Sequence, residues 1–299
     1  MTTANLVEIY CIFDDFCKIF EPELKKHMID MDGKAHRNRP CRVSDAEIMT
    51  MLVLFHTSHF RDLKTFYTGY VCQHLRQEFP NKLSYNRFVE RQRKVALHLL
   101  MFLNICALGK CTGISIIDST PIVSCHIKRM HMHKTMRGLA AMGKCTMGWF
   151  FGFKLHLVIN DKGEIIQWML TPGNTDDRDP LKNEKFMEKL FGKLFADRGY
   201  ISQDLFEKLF IDDIHLVTKI KKNMKNSLMN IYDKICLRKR AVIETVNDEL
   251  KNICQIEHTR HRSVDNFVTN LISALIEYNF MPKKPQMNIE IIDKSRLIA

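Results

Sequence analysis

GISIIDSTPIV, residues 113–123, is where the chain changes texture. A glycine opens a β-branched, apolar run that reads as a buried strand, and Asp118 follows that run ahead of Ser119, Thr120 and Pro121. A carboxylate at the end of a buried strand is costly unless its charge is compensated. Metal ligation would compensate it; a turn or capping aspartate beside proline is the other reading. Downstream, WFFGFKLHLVI (149–159) and EIIQWMLT (164–171) read as two more strands, with NDKG (160–163) as a hairpin turn between them. The loop PGNTDDRDP (172–180) follows, and Asp179 with Pro180 predicts the start of a helix running to about Phe191. KLFADRGYI (193–201) and IHLVTKI (214–220) are further strand candidates around a helical pattern at Gln203–Phe210. Helical periodicity returns from about Leu237 to Cys254 and from Val264 to Phe280. Three strands, helix, strand, helix, strand, helix is the order of a mixed α/β sheet domain.

Upstream of Gly113 the chain reads as helical. Ser44 followed by Glu47 has capping-box spacing ahead of Ile48, Met51, Leu52 and Phe55. A second helix is predicted over Asp62–Arg76. A third begins near Ser84 in LSYNRFVERQRKVALHLL and carries Arg87, Arg91, Arg93 and Lys94. Three short helices with a basic last segment suit a helix-turn-helix-like DNA-binding unit; a helical bundle with a solvated basic face fits equally well. The domain reading is therefore a helical N-terminal DNA-binding or accessory domain (1–108), an α/β domain (109–281) and a tail (282–299).

The chain has 299 residues and 45% hydrophobic composition, enough for one large domain or two ordinary ones. Its 45 Lys and Arg against 34 Asp and Glu give a formal charge of +11, which attracts a polyanion. The ten cysteines lie singly, without a CxxC pair, so reduced thiols are expected. MTTANLVEIYCIFDDF shows acids where an export signal has a basic start. The apolar stretch Ala96–Leu108 falls short of the roughly 20 residues that cross a membrane. A cytoplasmic protein with no membrane partner is expected.

Asp197 repeats the setting of Asp118, coming directly after Leu194–Ala196. Pairing with Arg198 is the plain alternative. In RKRAVIETVNDELKN (238–252), at roughly 100° per residue, Glu244 and Lys251 fall about 40° and 20° from Arg240, so the three share one helix face. An i,i+4 surface pair between Arg240 and Glu244 would explain that spacing without any chemistry.

Taken in order, IIDSTPI, GFKLHLVIN, the PGNTDDRDP loop, LFADRGY and RxxxExxxxxxK resemble the DDE transposases of bacterial insertion sequences, most closely insertion-sequence group 982. The resemblance covers nearly the whole chain, including LSYNRFVER. It implies a ribonuclease-H-like catalytic domain in which Asp118, Asp197 and Glu244 hold two Mg²⁺ ions, with Mn²⁺ able to substitute. Arg240 and Lys251 would hold DNA phosphates beside them. Leu237 stands where the family often has a tyrosine, so no tyrosine contact is implied there. The 47 positions from Asp197 to Glu244 leave no room for a large β insertion.

The implied function is binding of terminal inverted repeats, metal-dependent cleavage and joining of 3′-OH ends to target DNA, by a homodimer on double-stranded DNA in the bacterial nucleoid. A nuclease without strand transfer, or an inactive DNA-binding repressor, are the alternatives. Charge agrees with a DNA partner: His126–Lys154 holds six Lys or Arg and no acid, and Lys219–Arg240 holds eight against Asp233. Lys154, Arg198, Lys128 and Arg129 are further candidates for DNA contact. His126, His131, His133 and Cys125 lack zinc-site spacing, and no zinc is expected. His156 reads as a core histidine or a neighbour of the metal site. Asp176, Asp177 and Asp179 rank behind the triad because turn and capping chemistry explains them.

Overall fold

Ser44 closes its capping box in the computed structural model: its Oγ accepts from the Glu47 backbone N–H at 3.1 Å, and the Glu47 carboxylate accepts from the Ser44 N–H at 2.6 Å. Residues 3–27, 41–219, 229–257 and 261–288 are described. The part of the second basic run at 220–228 and the tail beyond residue 288 lie outside them.

The contacts divide the chain into two units, Met1–Leu108 with His131–Arg137 and Glu249–Met281, and Gly109–Met130 with Gly138–Asp248 and Pro282–Ala299. The first is helical. Thr3–His27, Asp45–Thr57, Tyr85–Lys94, Ala96–Phe102 and Val264–Phe280 form a bundle, and Phe13, Phe102 and Phe280 meet inside it with ring centroids 4.7 to 6.1 Å apart. Sequence order leaves Val264–Phe280 with the downstream domain, whereas the structure packs it among the N-terminal helices. The reason is its surface: Leu271, Ile272, Ala274, Leu275, Ile276 and Tyr278 spread apolar side chains over more than one face, and every residue from Thr269 to Tyr278 is buried, so the helix needs neighbours on most sides. The predicted helix over Asp62–Arg76 is a short turn capped by Asp62, continued by wide helical turns over Phe66–His74.

The second unit is built on a six-stranded sheet. Strands β1 (Ile114–Cys125), β2 (Ala141–Cys145), β3 (Gly148–Asn160), β4 (Ile165–Pro172), β5 (Gly192–Ala196) and β6 (Ile214–Thr218) lie in the order β2-β3-β1-β5-β6, with β4 also paired to β3. β3 is antiparallel to β1, β2 and β4, while β1-β5 and β5-β6 are parallel, the last pair joined through the helix Gln203–Ile211. Ile117, Val158, Ile166, Leu194, Leu205 and Leu216 belong to the core under this sheet. An antiparallel meander continued by parallel strands, with flanking helices, is the ribonuclease-H-like arrangement. Two long helices of the sequence reading are broken. The segment from Asp179 becomes a 3-10 turn and the short helix Glu184–Met187, interrupted where Asn183 adopts an extended conformation and caps Phe186. The segment from Leu237 divides into Ile231–Lys239 and Val242–Asn252 around Arg240.

The NDKG hairpin depends on its glycine. Gly163 has φ +76°, and a Cβ there would lie 1.9 Å from the Pro285 carbonyl oxygen. Gly163→Ala is expected to cost more than about 1 kcal/mol, since it adds a left-handed strain to a backbone clash. Equilibrium denaturation checks this: the midpoint falls with the slope unchanged.

Candidate active site

β1 continues past Asp118 to Cys125 on its β3 edge, so Asp118 is not at a strand end as the sequence suggests; it pairs in register with Leu157. On the other edge the ladder with β5 stops where Ile116 pairs with Phe195. Two residues further along each strand come Asp118 and Asp197. The parallel ladder thus ends two residues short of both aspartates, which leave it from neighbouring strands. β5 ends at Ala196, which leaves Asp197 exposed at the mouth of a 3-10 turn.

Glu244 stands in the first turn of Val242–Asn252 and is exposed. The break before that helix turns Arg240 so that its Nη2 lies 3.5 Å from Asp197 Oδ1 and 3.5 Å from Glu244 Oε1. Its side chain is only 13% exposed, so this guanidinium is held between two open carboxylates. Asp197 therefore pairs with Arg240 and not with its neighbour Arg198. Asp118 lies deeper. Burial pushes its carboxyl up to about 6; the Ser119 backbone N–H and the Arg240 charge oppose the shift, and the charges of Glu244 and Asp197 add to it. All three acids and one cation thus act on a common region.

Sequence reasoning missed Asn247. Its Nδ2 donates to Asp118 Oδ2 at 3.2 Å, while its buried Oδ1 has no hydrogen-bond partner. The signal was available in the i,i+3 spacing from Glu244, which places Asn247 beside it on the helix. Behind Asp118, the Ser119 hydroxyl donates to Asp177 Oδ1 at 2.7 Å, and Lys154 Nζ donates to the same atom at 2.9 Å and to the Thr175 carbonyl at 2.8 Å. The Tyr200 hydroxyl is buried near Asp118 and Asp177, which raises its pKa together with desolvation, the largest cause.

The other candidates separate. Lys154 is 14% exposed and committed to Asp177, so it fixes the 172–180 loop. Asp176 pairs with Arg178 and Asp179 with Lys182. Lys251 pairs with Glu257 at 3.6 Å. Arg198, Lys128 and Arg129 are exposed. His156 is fully buried, with Nε2 2.8 Å from Thr171 Oγ1, and burial lowers its pKa to about 4, so it is a neutral histidine of the sheet.

Among the described residues, one set of three side chains of metal-ligating type has its ligand atoms within 4.8 Å of one another: Glu21, Asp45 and His98. It lies in the helical unit and contains none of the three acids above. Asp45 is also in an ion pair with Arg91, so a protein cation already compensates one of the two carboxylates of this cluster. The three are scattered over the helices Thr3–His27, Asp45–Thr57 and Ala96–Phe102, which is why no motif announced them.

Among solved structures, a piggyBac transposase synaptic complex with hairpin DNA is similar at 12% identity and a TM-score of 0.44, over 90% of this chain and 70% of that one. A Mos1 transposase paired-end complex with left transposon end matches at 16% identity and 0.22, over 68% and 66%, and a Mos1 strand transfer complex at 13% and 0.23, over 88% and 84%. No curated protein matches the chain. Residues 108–264, more than half of the chain, match the family described as a transposase DDE domain. That span takes in the whole sheet, both aspartates, Arg240 and Glu244, and the chain belongs to the DDE transposase family.

Proposed function

We propose that this protein is the transposase of an insertion sequence, nearest to insertion-sequence group 982, which cleaves DNA at the element's terminal inverted repeats and joins the 3′-OH ends to target DNA. One observation carries the reading: Arg240 lies 3.5 Å from both Asp197 and Glu244, and the charges of all three act on Asp118.

The residues fit divalent cations. Asp118 is a half-buried carboxylate whose charge the protein compensates only in part, and the Asn247 Oδ1 beside it is an unpartnered acceptor. Asp118, Asp197 and Glu244 would hold the ions, oxygen ligands suited to Mg²⁺. Two bound Mg²⁺ would activate a water or 3′-hydroxyl and neutralise the phosphate that is attacked. The chain's own contribution is positioning. Asn247 orients Asp118, Asp177 and Lys154 brace the strand behind it, and Arg240 is freed to bind phosphate once its two carboxylates have other cations. Arg198, Lys128 and Arg129 supply exposed positive charge for the DNA backbone. A homodimer on DNA would process the two ends together.

The deciding experiment supplies terminal DNA with a precleaved, free 3′-hydroxyl and a circular target, with Mg²⁺ or Mn²⁺. Joined product is expected. Hydrolysis alone would make the protein a nuclease, and binding without either reaction would make it a repressor. Arg240→Gln is expected to weaken DNA binding across sequences and to reduce the slope of log affinity against log salt by about one, the loss of one phosphate contact. Fluorescence anisotropy over a salt series measures it; an unchanged slope removes Arg240 from the DNA contacts.

A further inference from the structure

The helical unit contains a polar cavity of about 700 Å³. One wall is the face of the helix Tyr85–Lys94 that carries Tyr85, Val89 and Gln92. The opposite wall is the face of Val264–Phe280 that carries Asn266 and Asn270, one turn apart. Bundle helices normally turn aliphatic residues toward such a space, and here they turn amides. Asn270 is 6% exposed and its Nδ2 has no hydrogen-bond partner; the Oδ1 of Asn266 is buried and likewise has none. A buried polar group left unpaired is destabilising, so a partner that supplies the missing bonds is favoured. The protein thus holds one free donor and one free acceptor on a single wall, a pattern that matches the hydrogen-bonding edge of a nucleobase.

The rim carries a different chemistry. Arg61, Lys64 and Arg262 are exposed around the opening. Asp62 is the acid among the lining residues, and its carboxylate is engaged by the Thr65 backbone N–H at 2.8 Å. His261 is uncharged near neutral pH, because burial lowers its pKa to about 4. The opening is therefore net positive and the interior neutral and amide-lined. A neutral peptide would satisfy the amides and leave the cations unused. Paired DNA keeps the Watson–Crick edges and the stacked faces of its bases inside the duplex, so no whole base can enter a cavity. A nucleotide freed from pairing brings an anionic phosphate, a flat ring and a donor–acceptor edge together.

We infer that this cavity binds one unpaired nucleotide, with the base edge on Asn266 and Asn270, the ring against Tyr85, and the phosphate on Arg61, Lys64 and Arg262. The site is separate from Asp118, Asp197 and Glu244 and holds whether or not those acids cut DNA.

The test uses the full-length protein in EDTA and fluorescent hexanucleotides: dT6, dA6, dC6 and dG6, and an abasic hexamer of equal charge. At least one base-containing hexamer should bind about tenfold or more tightly than the abasic one, given what a single base contributes on a protein surface. Asn266→Ala should bring the two within about twofold, while the Lys64→Ala, Arg262→Ala double variant weakens both alike. Asn266 is half-buried and Lys64 and Arg262 are exposed, so these variants keep the fold even where Asn270→Ala does not. Competition by the four deoxynucleoside monophosphates would identify a free nucleotide as the ligand; failure to compete would identify a nucleotide within a strand. Equal affinity for abasic and base-containing hexamers overturns the inference. So does a base preference that survives Asn266→Ala.

Discussion

Asp118→Asn, Asp197→Asn and Glu244→Gln are each expected to lower Mg²⁺-dependent cleavage of terminal DNA by at least about a thousandfold, because several kcal/mol of charge stabilisation go with each ligand and about 1.4 kcal/mol is tenfold in rate. Affinity for DNA should stay within a few fold, since these acids repel phosphate and do not bind it. The three variants differ in stability, and that difference tests the geometry apart from the chemistry. Asp118 is the half-buried member, with a carboxyl raised from an ordinary 3.8 to about 6. A carboxyl raised in the folded state weighs on stability increasingly as pH rises from about 4 to 6, and fully above that. The shift corresponds to about 3 kcal/mol. In EDTA at pH 8, Asp118→Asn should therefore melt on the order of 5 °C above the parent protein, with no gain at pH 4. Asp197 and Glu244 have side chains 55% and 64% exposed, and their substitution should shift melting little. Substantial residual cleavage in any of the three rejects the assignment, and a melting gain shared equally by all three rejects the deeper position of Asp118.

The sequence read the sheet well because its strands are long apolar runs bounded by turn residues. Ala141–Cys145 was missed, since AMGKC is short, carries a glycine and a lysine, and gains its place only by pairing with β3. The acids were legible as types in a suitable order. Their meeting was not, because it depends on a register between β1 and β5 and on a helix break at Arg240 that an unbroken periodicity conceals. Lys154 reads as a free cation in a basic run, yet the loop that returns Asp177 to it is remote in sequence. Asn247, Gln92 and Asn270 carry no motif. Side-chain amides acquire meaning only from what faces them.

Glu277→Gln should stabilise the protein at pH 8.5 by about 3 kcal/mol and leave it nearly unchanged at pH 4.5. Glu277 is 4% exposed, in the helix Val264–Phe280, and its Oε2 has no hydrogen-bond partner. Burial raises its carboxyl to about 7 from an ordinary 4.5, with the Thr57 hydroxyl opposing the shift. The protonated form is the one that suits the bundle, so the stability this group allows is complete below about pH 4.5 and is lost as pH rises through 7. Glutamine keeps the shape without the charge and removes the loss. Calorimetric melting at the two pH values decides the matter, and equal shifts at both would mean that packing, not ionisation, sets the effect. The consequence for function is a bounded working range. Asp118 must be ionised to serve as a ligand, which in the metal-free protein requires a pH above about 6, while the helical unit loses the contribution of Glu277 between about pH 4.5 and 7 and has lost all of it above 7. In Glu277→Gln the acid limb of the cleavage profile should stay where it is, because Asp118 is untouched, and heat tolerance should extend to higher pH. A shift of the acid limb in that variant would show that the two carboxyls do not act independently.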